Sequence, residues 1–425
     1  MPNLDLFLHN RLVGTVEPDG RDKSRVTLNV DNAYRDDTLL SESFATLPGR
    51  RAPTDAVSNF LGGYVPEGNH REAMAAKRRI DKDNLFELLN EFGGSIAGAV
   101  TLRETAEPKA YRPCYESLDN RALARRLKQA LDGSDQAAAD DSRSALSGFQ
   151  PKVLVALVDG EWAYPHGRAH STHILKPQIP ARPHRIFDEY YSHQLTQSIG
   201  LSHYASAIRK AGQMTYLAIE RFDRTTVDGQ VRLHHQEDFS QVLSLDWRNT
   251  DVKFQNPVWP DDSQRASMKR IAQALGSIPG GGAAVEQWIR QLTYHVAIGN
   301  NDAHAKNVAL MHFPTGTELA QVYDALPNFF QTDRIDWNLA LAIDGTFNHR
   351  RLSADKILAE TESWEVVPVA RASSLVFETL HALDEAVAST TVPKGVSDGL
   401  VEHVQWTVGR LLAGVEIGEP KRRFG

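Results

Sequence analysis

The sequence predicts an α+β chain in which a small N-terminal α/β subdomain is followed by a strand-rich region and then a mostly helical C-terminal region. Three observations predict it. Apolar residues alternate in short runs near the start, strand-like runs with turn signals dominate from Lys152 to Leu233, and helical spacing takes over beyond about residue 240. A chain of 425 residues is also too long for one ordinary core and calls for two or three compact units. The expected segments are an N-terminal subdomain over 1–106, a linker and mobile segment over 107–144, a strand-rich lobe over 145–240 and a helical lobe over 241–425.

Each element has its own signal. Leu4, Leu6 and Leu8 share one strand face, His9-Asn10 breaks the run, and Val13 to Val16 forms the second arm of a hairpin. Val26, Leu28 and Val30 alternate again. Leu85, Phe86, Leu88, Leu89 and Phe92 have helical spacing with a stop at Gly93-Gly94, and alternation returns at Val100 and Leu102. Nothing in this subdomain looks chemical, so a structural or partner-binding role is expected. Pro108, Pro113, the charged helical stretch Asn120–Leu131 and a polar run over 133–142 read as the linker. Val153–Val158 and Trp162–Tyr164 flank an Asp159-Gly160 turn, Thr172–Lys176 ends at Pro177, and Ile186–Ile199 is helical up to Gly200. Met214–Ile219 and Val231–His234 add strands. Val285, Trp288, Ile289, Leu292 and Val296 line one face of a helix that follows Gly280-Gly281-Gly282. Trp247, Trp259 and Trp288 are expected in cores.

Composition excludes several classes. The hydrophobic fraction of 41% and charged fraction of 24% are those of a globular chain. There is no apolar run near the roughly 18 residues of a membrane span and no signal-peptide start, and the single Cys114 cannot form an internal disulfide. A cytoplasmic setting is expected. With 47 basic against 54 acidic side chains, the net charge of −7 argues against coating DNA unaided.

The chemistry centres on Gly299-Asn300-Asn301-Asp302-Ala303-His304-Ala305-Lys306-Asn307. An Asp followed five positions later by Asn is the spacing of a kinase catalytic loop. There the Asp orients a hydroxyl and takes its proton while the Asn amide oxygen ligates Mg²⁺. Val322-Tyr323-Asp324 supplies a second acidic residue at the end of an apolar segment, suited to bridge phosphate oxygens through the metal. By itself the Asp–Asn spacing is common and equally describes a capped loop; the downstream Asp tips the balance toward catalysis. Lys176 closes a strand a short distance after the Gly-containing turn Ser147-Gly148-Phe149-Gln150-Pro151-Lys152, whose backbone N–H groups are suited to phosphate. Glu189, in the following helix, is placed to pair with Lys176 as a kinase helix glutamate does. Ala218-Ile219-Glu220-Arg221-Phe222-Asp223-Arg224 ends a strand where the chain leaves the first lobe, and its main chain is suited to an adenine edge.

These segments, with Gln236-Glu237-Asp238, stand in an order that resembles the HipA family of bacterial toxin–antitoxin serine/threonine kinases, along the whole length. The resemblance implies a two-lobed protein-kinase-like fold and use of ATP and Mg²⁺. It assigns residues 147–152 and Lys176 to ATP phosphates, Glu220, Arg221 and Phe222 to the adenine hinge, and Gln236 to the nucleotide pocket. His304, Lys306, Asn307, Tyr323 and Asp324 complete the nucleotide site, with Asn307 and Asp324 on the metal and Asp302 as catalytic base. It also implies a protein substrate, in some relatives an aminoacyl-tRNA synthetase, and a helix-turn-helix, HipB-like antitoxin through which any DNA contact is indirect. The acidic stretch over 359–369 stands where some relatives meet DNA with basic side chains. Alternatives of another class are a small-molecule or lipid-head-group kinase and a catalytically silent partner-binding protein; intact Lys176, Asp302, Asn307 and Asp324 argue against silence.

One departure bears on regulation. The family commonly carries a serine just ahead of the phosphate turn, and its autophosphorylation switches the kinase off. Ala145 stands there in this chain, with Ser144 before it and Ser147 inside the turn. A phosphate adds about two negative charges, which repel a bound triphosphate. Phosphopeptide mapping after incubation with ATP is expected to find phosphate on Ser144 or Ser147; an unmodified 142–150 peptide means that this brake is absent.

Overall fold

The structure, a computed structural model, describes residues 3–104, 113–132, 150–228, 230–330 and 336–420. It is α+β and divides into two compact units, one formed by residues 1–177, 209–250 and 311–317 and the other by 178–208, 251–310 and 318–425.

In the first unit the N-terminal alternation becomes an antiparallel four-stranded sheet, in the order Val26–Val30, Arg11–Pro18, Leu4–Leu8, Val100–Glu104. His9 and Asn10 both take positive φ (49° and 64°), the conformation that lets a two-residue turn follow the strand twist. Leu4, Leu6 and Leu8 point into a core closed by the helices Thr54–Gly62, Gly68–Arg78 and Leu85–Phe92. Trp247, nearly two hundred residues from most of that core, belongs to it. Its ring lies so close to Gly62 that a Cβ there would come within 2.2 Å, and its Nε1 donates to the Ser24 carbonyl at 3.0 Å.

A second, six-stranded sheet runs in the order Cys114–Ser117, Glu161–His166, Val153–Val158, His173–Pro177, Met214–Glu220, Ser206–Ala211. Part of the expected linker is structured. Cys114–Ser117 pairs with Glu161–His166, and Asn120–Leu131 buries Leu123 and Leu127 against Val153, Val155, Leu175 and Tyr216. Its polar residues, which suggested a linker, are the solvent face of a one-sided helix capped by Asp119.

The second unit is mostly helical. Gly281–Ile298 is its central helix and packs against Met268–Ser277, Val369–Ser389 and Leu400–Leu412, with Trp288 and Tyr294 fully buried. Two hairpins interrupt the helical pattern expected beyond residue 240: Ala309–Phe313 with Gly316–Leu319, whose residues 311–317 belong to the first unit beside His235–Asp238, and Asn338–Ile343 with Thr346–Asn348 in the second. Leu339 to Ile343 are all buried, so this strand carries an unbroken apolar run with no alternation to betray it. Trp259 also departs from expectation. It is 70% exposed on a Pro-flanked loop where Asn256 Oδ1 accepts from the Val258 and Trp259 N–H groups. Among the described residues no helix is long and apolar enough to cross a membrane.

Because Trp247 fills the N-terminal core, Trp247→Ala should cost about 3–5 kcal/mol of stability. Denaturant unfolding followed by circular dichroism checks this; a loss below about 1 kcal/mol would mean that the core closes without the indole.

Candidate active site

The catalytic-loop motif begins where the helix Gly281–Ile298 stops. Gly299 caps that helix with φ +74°, and the Asn300 N–H returns to the His295 carbonyl at 2.9 Å. A side chain at 299 would be strained twice over, because a Cβ would also lie 2.6 Å from the Phe329 ring. Asn300 is buried; its amide lies 3.1 Å from His295 Nδ1, and its Oδ1 accepts the Asp302 N–H at 3.0 Å.

Beyond this anchor the loop folds back on itself. The Asp302 carbonyl accepts the His304 N–H at 2.9 Å and the Asn307 side-chain amide at 2.8 Å. The second bond fixes Asn307 relative to Asp302 and spends the amide nitrogen, so Asn307 Oδ1 is the atom left to ligate a cation. The Asp302 side chain is half exposed, 3.8 Å from His304 Nε2, while His304 is buried edge-on to Phe254, with ring centroids 5.2 Å apart.

A second segment is fastened to the loop by one hydrogen bond, from the Tyr323 hydroxyl to the Lys306 carbonyl at 2.9 Å. The next residue, Asp324, is exposed and takes a left-handed φ of 50°. Behind it, the Val322 N–H meets the Leu201 carbonyl at 2.9 Å and the Tyr204 hydroxyl donates to the Val322 carbonyl at 3.2 Å. Burial, then the nearby carboxylates of Glu189 and Asp324, hold the Tyr204 phenol well above its usual range, so it remains a donor. Asp302, Asn307 and Asp324 are thus carried by two segments tied together within one unit.

The other expected residues lie in the first unit. Lys176 is buried in His173–Pro177, its backbone opposite Leu217. Gln150, Pro151 and Lys152 are partly buried just before Val153–Val158, whereas Ser144, Ser147, Gly148 and Phe149 lie outside the described residues. Glu220 ends its strand opposite His173, and Phe222 is partly buried.

Arg221, expected at the adenine hinge, is tied into the protein interior. Its guanidinium is buried and engages both Asp223 oxygens (2.9 and 2.7 Å) and Ser171 Oγ (3.0 Å); its N–H meets the Thr172 carbonyl, and its own carbonyl accepts from Arg224. Gln236 likewise directs Nε2 to Asp223 at 3.3 Å, while its carbonyl accepts from Tyr64. Its neighbours in the Gln236-Glu237-Asp238 motif are structural as well. Glu237, fully buried, receives Ser41 Oγ, the Glu42 N–H and His312 Nε2 at 2.7–2.9 Å, and Asp238 forms a capping box with Gln241.

The donors fit a particular kind of metal. Among the described residues no three His, Cys, Asp or Glu side chains gather as a cage. The hard oxygens of Asn307 and Asp324 are too few to hold an ion alone but match Mg²⁺, which is typically bound by one or two carboxylates together with substrate phosphates. Sequence reasoning gave no role to Asn300, Tyr204 or Asp223, although Asn300 and Asp223 stand inside motifs that it singled out. Of these, only Asn300 had a signal of its own, its position directly after a helix-ending glycine.

Comparison with known proteins places this geometry. Residues 4–103 match the HipA N-terminal domain family and residues 144–389 the HipA-like C-terminal domain family. The Sinorhizobium fredii protein Y4mE, whose name places it among kinases, is 30% identical over 334 residues, covering 76% of each chain. The serine/threonine-protein kinase toxin HipA of Shewanella oneidensis is 25% identical over 320 residues, 72% of this chain and 71% of that one. A HipA structure from a Shewanella oneidensis complex of HipA, HipB and operator DNA superposes with a TM-score of 0.78 at 20% identity, covering 96% of each chain, so the folds agree.

Four histidines of the second unit are held neutral by burial: His193, His295 and His403 at about 4 and His349 at about 3. Their folded values lie below the unfolded value of about 6.5, so the unfolded chain binds more protons in between. Stability should therefore be full above about pH 6.5 and fall steadily toward pH 4. Melting temperatures across that range check this; a flat profile would show that these rings are hydrated.

Proposed function

From the membership of this chain in the HipA family, we propose that it is an ATP- and Mg²⁺-dependent protein serine/threonine kinase of the toxin type. The observation that supports it most is the self-closing loop, in which the Asn307 amide on the Asp302 carbonyl and the Tyr323 hydroxyl on the Lys306 carbonyl tie together the segments that bear Asp302, Asn307 and Asp324. In this reading ATP supplies the γ-phosphoryl group, and Mg²⁺ neutralises the charge on its oxygens. Asn307 Oδ1 and the Asp324 carboxylate hold the metal. Lys176 holds phosphate oxygens together with the turn over 147–152, and His304, Lys306 and Tyr323 line the nucleotide site. Glu220 and Phe222 border the adenine, with Gln236 close by. The half-exposed Asp302 carboxylate orients a Ser or Thr hydroxyl of a protein substrate and accepts its proton as the new O–P bond forms and the bond to ADP breaks. Positioning and electrostatics then supply nearly all of the rate. The two-lobed division and the domain limits at 106, 144 and 240 belong to this reading, as do cytoplasmic action, a HipB-like antitoxin partner, an indirect link to DNA and growth inhibition through a target such as an aminoacyl-tRNA synthetase.

Asp302→Asn should lower phosphotransfer at least about 10²-fold to 10⁴-fold while ATP and Mg²⁺ still raise the melting temperature. Labelled-ATP transfer into a cell lysate, with identification of the phosphorylated protein, measures the first; thermal shift measures the second. Wild-type activity in the variant would overturn Asp302 as the base.

A further inference from the structure

Glu220-Arg221-Phe222-Asp223-Arg224 carries more charge than a nucleotide hinge requires, and the structure buries most of it. Asp223 stands between two guanidinium groups, with Arg221 donating to both of its oxygens and Arg224 Nη1 to Oδ2 at 2.9 Å. All three side chains are nearly inaccessible. Two cations and one anion leave an excess positive charge in the interior, a costly arrangement unless other dipoles compensate it.

The compensation comes from the N-terminal subdomain. Arg224 donates to the Ile96 carbonyl at 2.6 Å and the Gly98 carbonyl at 2.7 Å, and Arg221 reaches the Ile96 carbonyl at 3.4 Å. In return, the Gly98 N–H donates to Asp223 Oδ2 at 2.9 Å. Gly98 makes this approach at φ +72°, and a Cβ there would lie 2.8 Å from the Gln236 backbone nitrogen. Burial by itself would raise the Asp223 carboxyl, but Arg221 and Arg224 hold it well below the usual carboxylate range. Burial and the charge of Arg221 bring Arg224 down to about 9, still protonated at neutral pH.

The same cluster fixes the strand end. The Arg221 N–H bonds to the Thr172 carbonyl, Arg221 Nη1 to Ser171 Oγ, and the His234 N–H to the Asp223 carbonyl at 2.9 Å. Arg221 and Asp223, the residues on either side of Phe222, are therefore tied into one network whose far side is the 96–98 loop.

We propose that Asp223 and Arg224 are positioning residues through which the N-terminal subdomain sets the geometry of the adenine-binding strand end, making that subdomain part of the nucleotide site. This rests on the kinase reading given above. It means that the subdomain acts on ATP affinity rather than on the transfer step, because the network meets residues 221–224 and 171–172 at the strand end assigned to adenine.

The test measures steady-state transfer for Asp223→Asn and for Arg224→Lys, which keeps the charge but loses the fork joining Ile96 and Gly98. With the fold verified by thermal melting, KM for ATP should rise about tenfold or more, while kcat and KM for the protein acceptor stay within about twofold. A folded Arg224→Lys protein with unchanged KM for ATP, or with kcat falling in step, would overturn the proposal, and so would failure of both variants to fold, which would make the cluster a stability device alone. If only Asp223→Asn fails to fold, Arg224→Lys decides. A wild-type enzyme that transfers no phosphate at all would refute the kinase reading instead.

Discussion

The hydrogen bond from the Asn307 side chain to the Asp302 carbonyl, 2.8 Å long, constrains the rest of the site. An amide has one donor end and one acceptor end, so committing the donor to the loop's own backbone orients the acceptor. The loop can close this way because the helix before it ends at a left-handed glycine and Asn300 is locked beneath, between His295 and the Asp302 N–H. The helix supplies rigidity, the glycine turns the chain and Asn307 fixes the reach. Tyr323 then brings in the segment bearing Asp324 without the two carboxylates having to attract one another, which two anions would resist. Neutral hydrogen bonds, not ion pairs, hold the two segments together.

The remaining motifs divide by chemistry. Those bearing Asp302, Asn307 and Asp324 keep these three residues partly or fully exposed. Those around Asp223 and Glu237 bury theirs against the protein. Glu237 collects donors from Ser41, Glu42 and His312, joining three distant stretches of the first unit, and Asp223 collects donors from Arg221, Arg224 and Gly98. A charge-rich motif in a nucleotide-binding family is therefore not by itself a contact list for the nucleotide.

Much of this was legible in the sequence, and the exceptions have physical causes. Alternation revealed the Leu4–Leu8 hairpin because its sheet has one buried face, and the Asp302–Asn307 spacing revealed the loop because that geometry depends on local separation. Asn338–Ile343 was hidden because a strand buried on both faces reads like part of a helix. Trp259 was misplaced because hydrophobicity predicts burial only on average, while Pro257, Pro260 and the Asn256 turn hold the indole out in solvent. The burial of the Arg221 side chain was hidden because its partners, Ser171 and Ile96, lie 50 and 125 positions away, beyond the reach of any local pattern.

That separation also explains why the first unit does not divide where composition changes. A module covering residues 1–104 has an amphipathic sheet and helices of its own, yet its core includes Trp247 and its 96–98 loop compensates an interior positive charge belonging to residues 221–224. Removing it would expose the indole and leave two guanidinium groups facing one carboxylate without the Ile96 and Gly98 carbonyl oxygens. Water would hydrate them only by opening the strand end that carries Glu220 and Phe222. The apolar term is non-directional and a different cover could replace it, but the electrostatic term needs the Ile96 and Gly98 carbonyls and the Gly98 N–H at defined positions. What makes the N-terminal subdomain specific to this chain is therefore polar: three backbone atoms aimed at a buried carboxylate and its two cations.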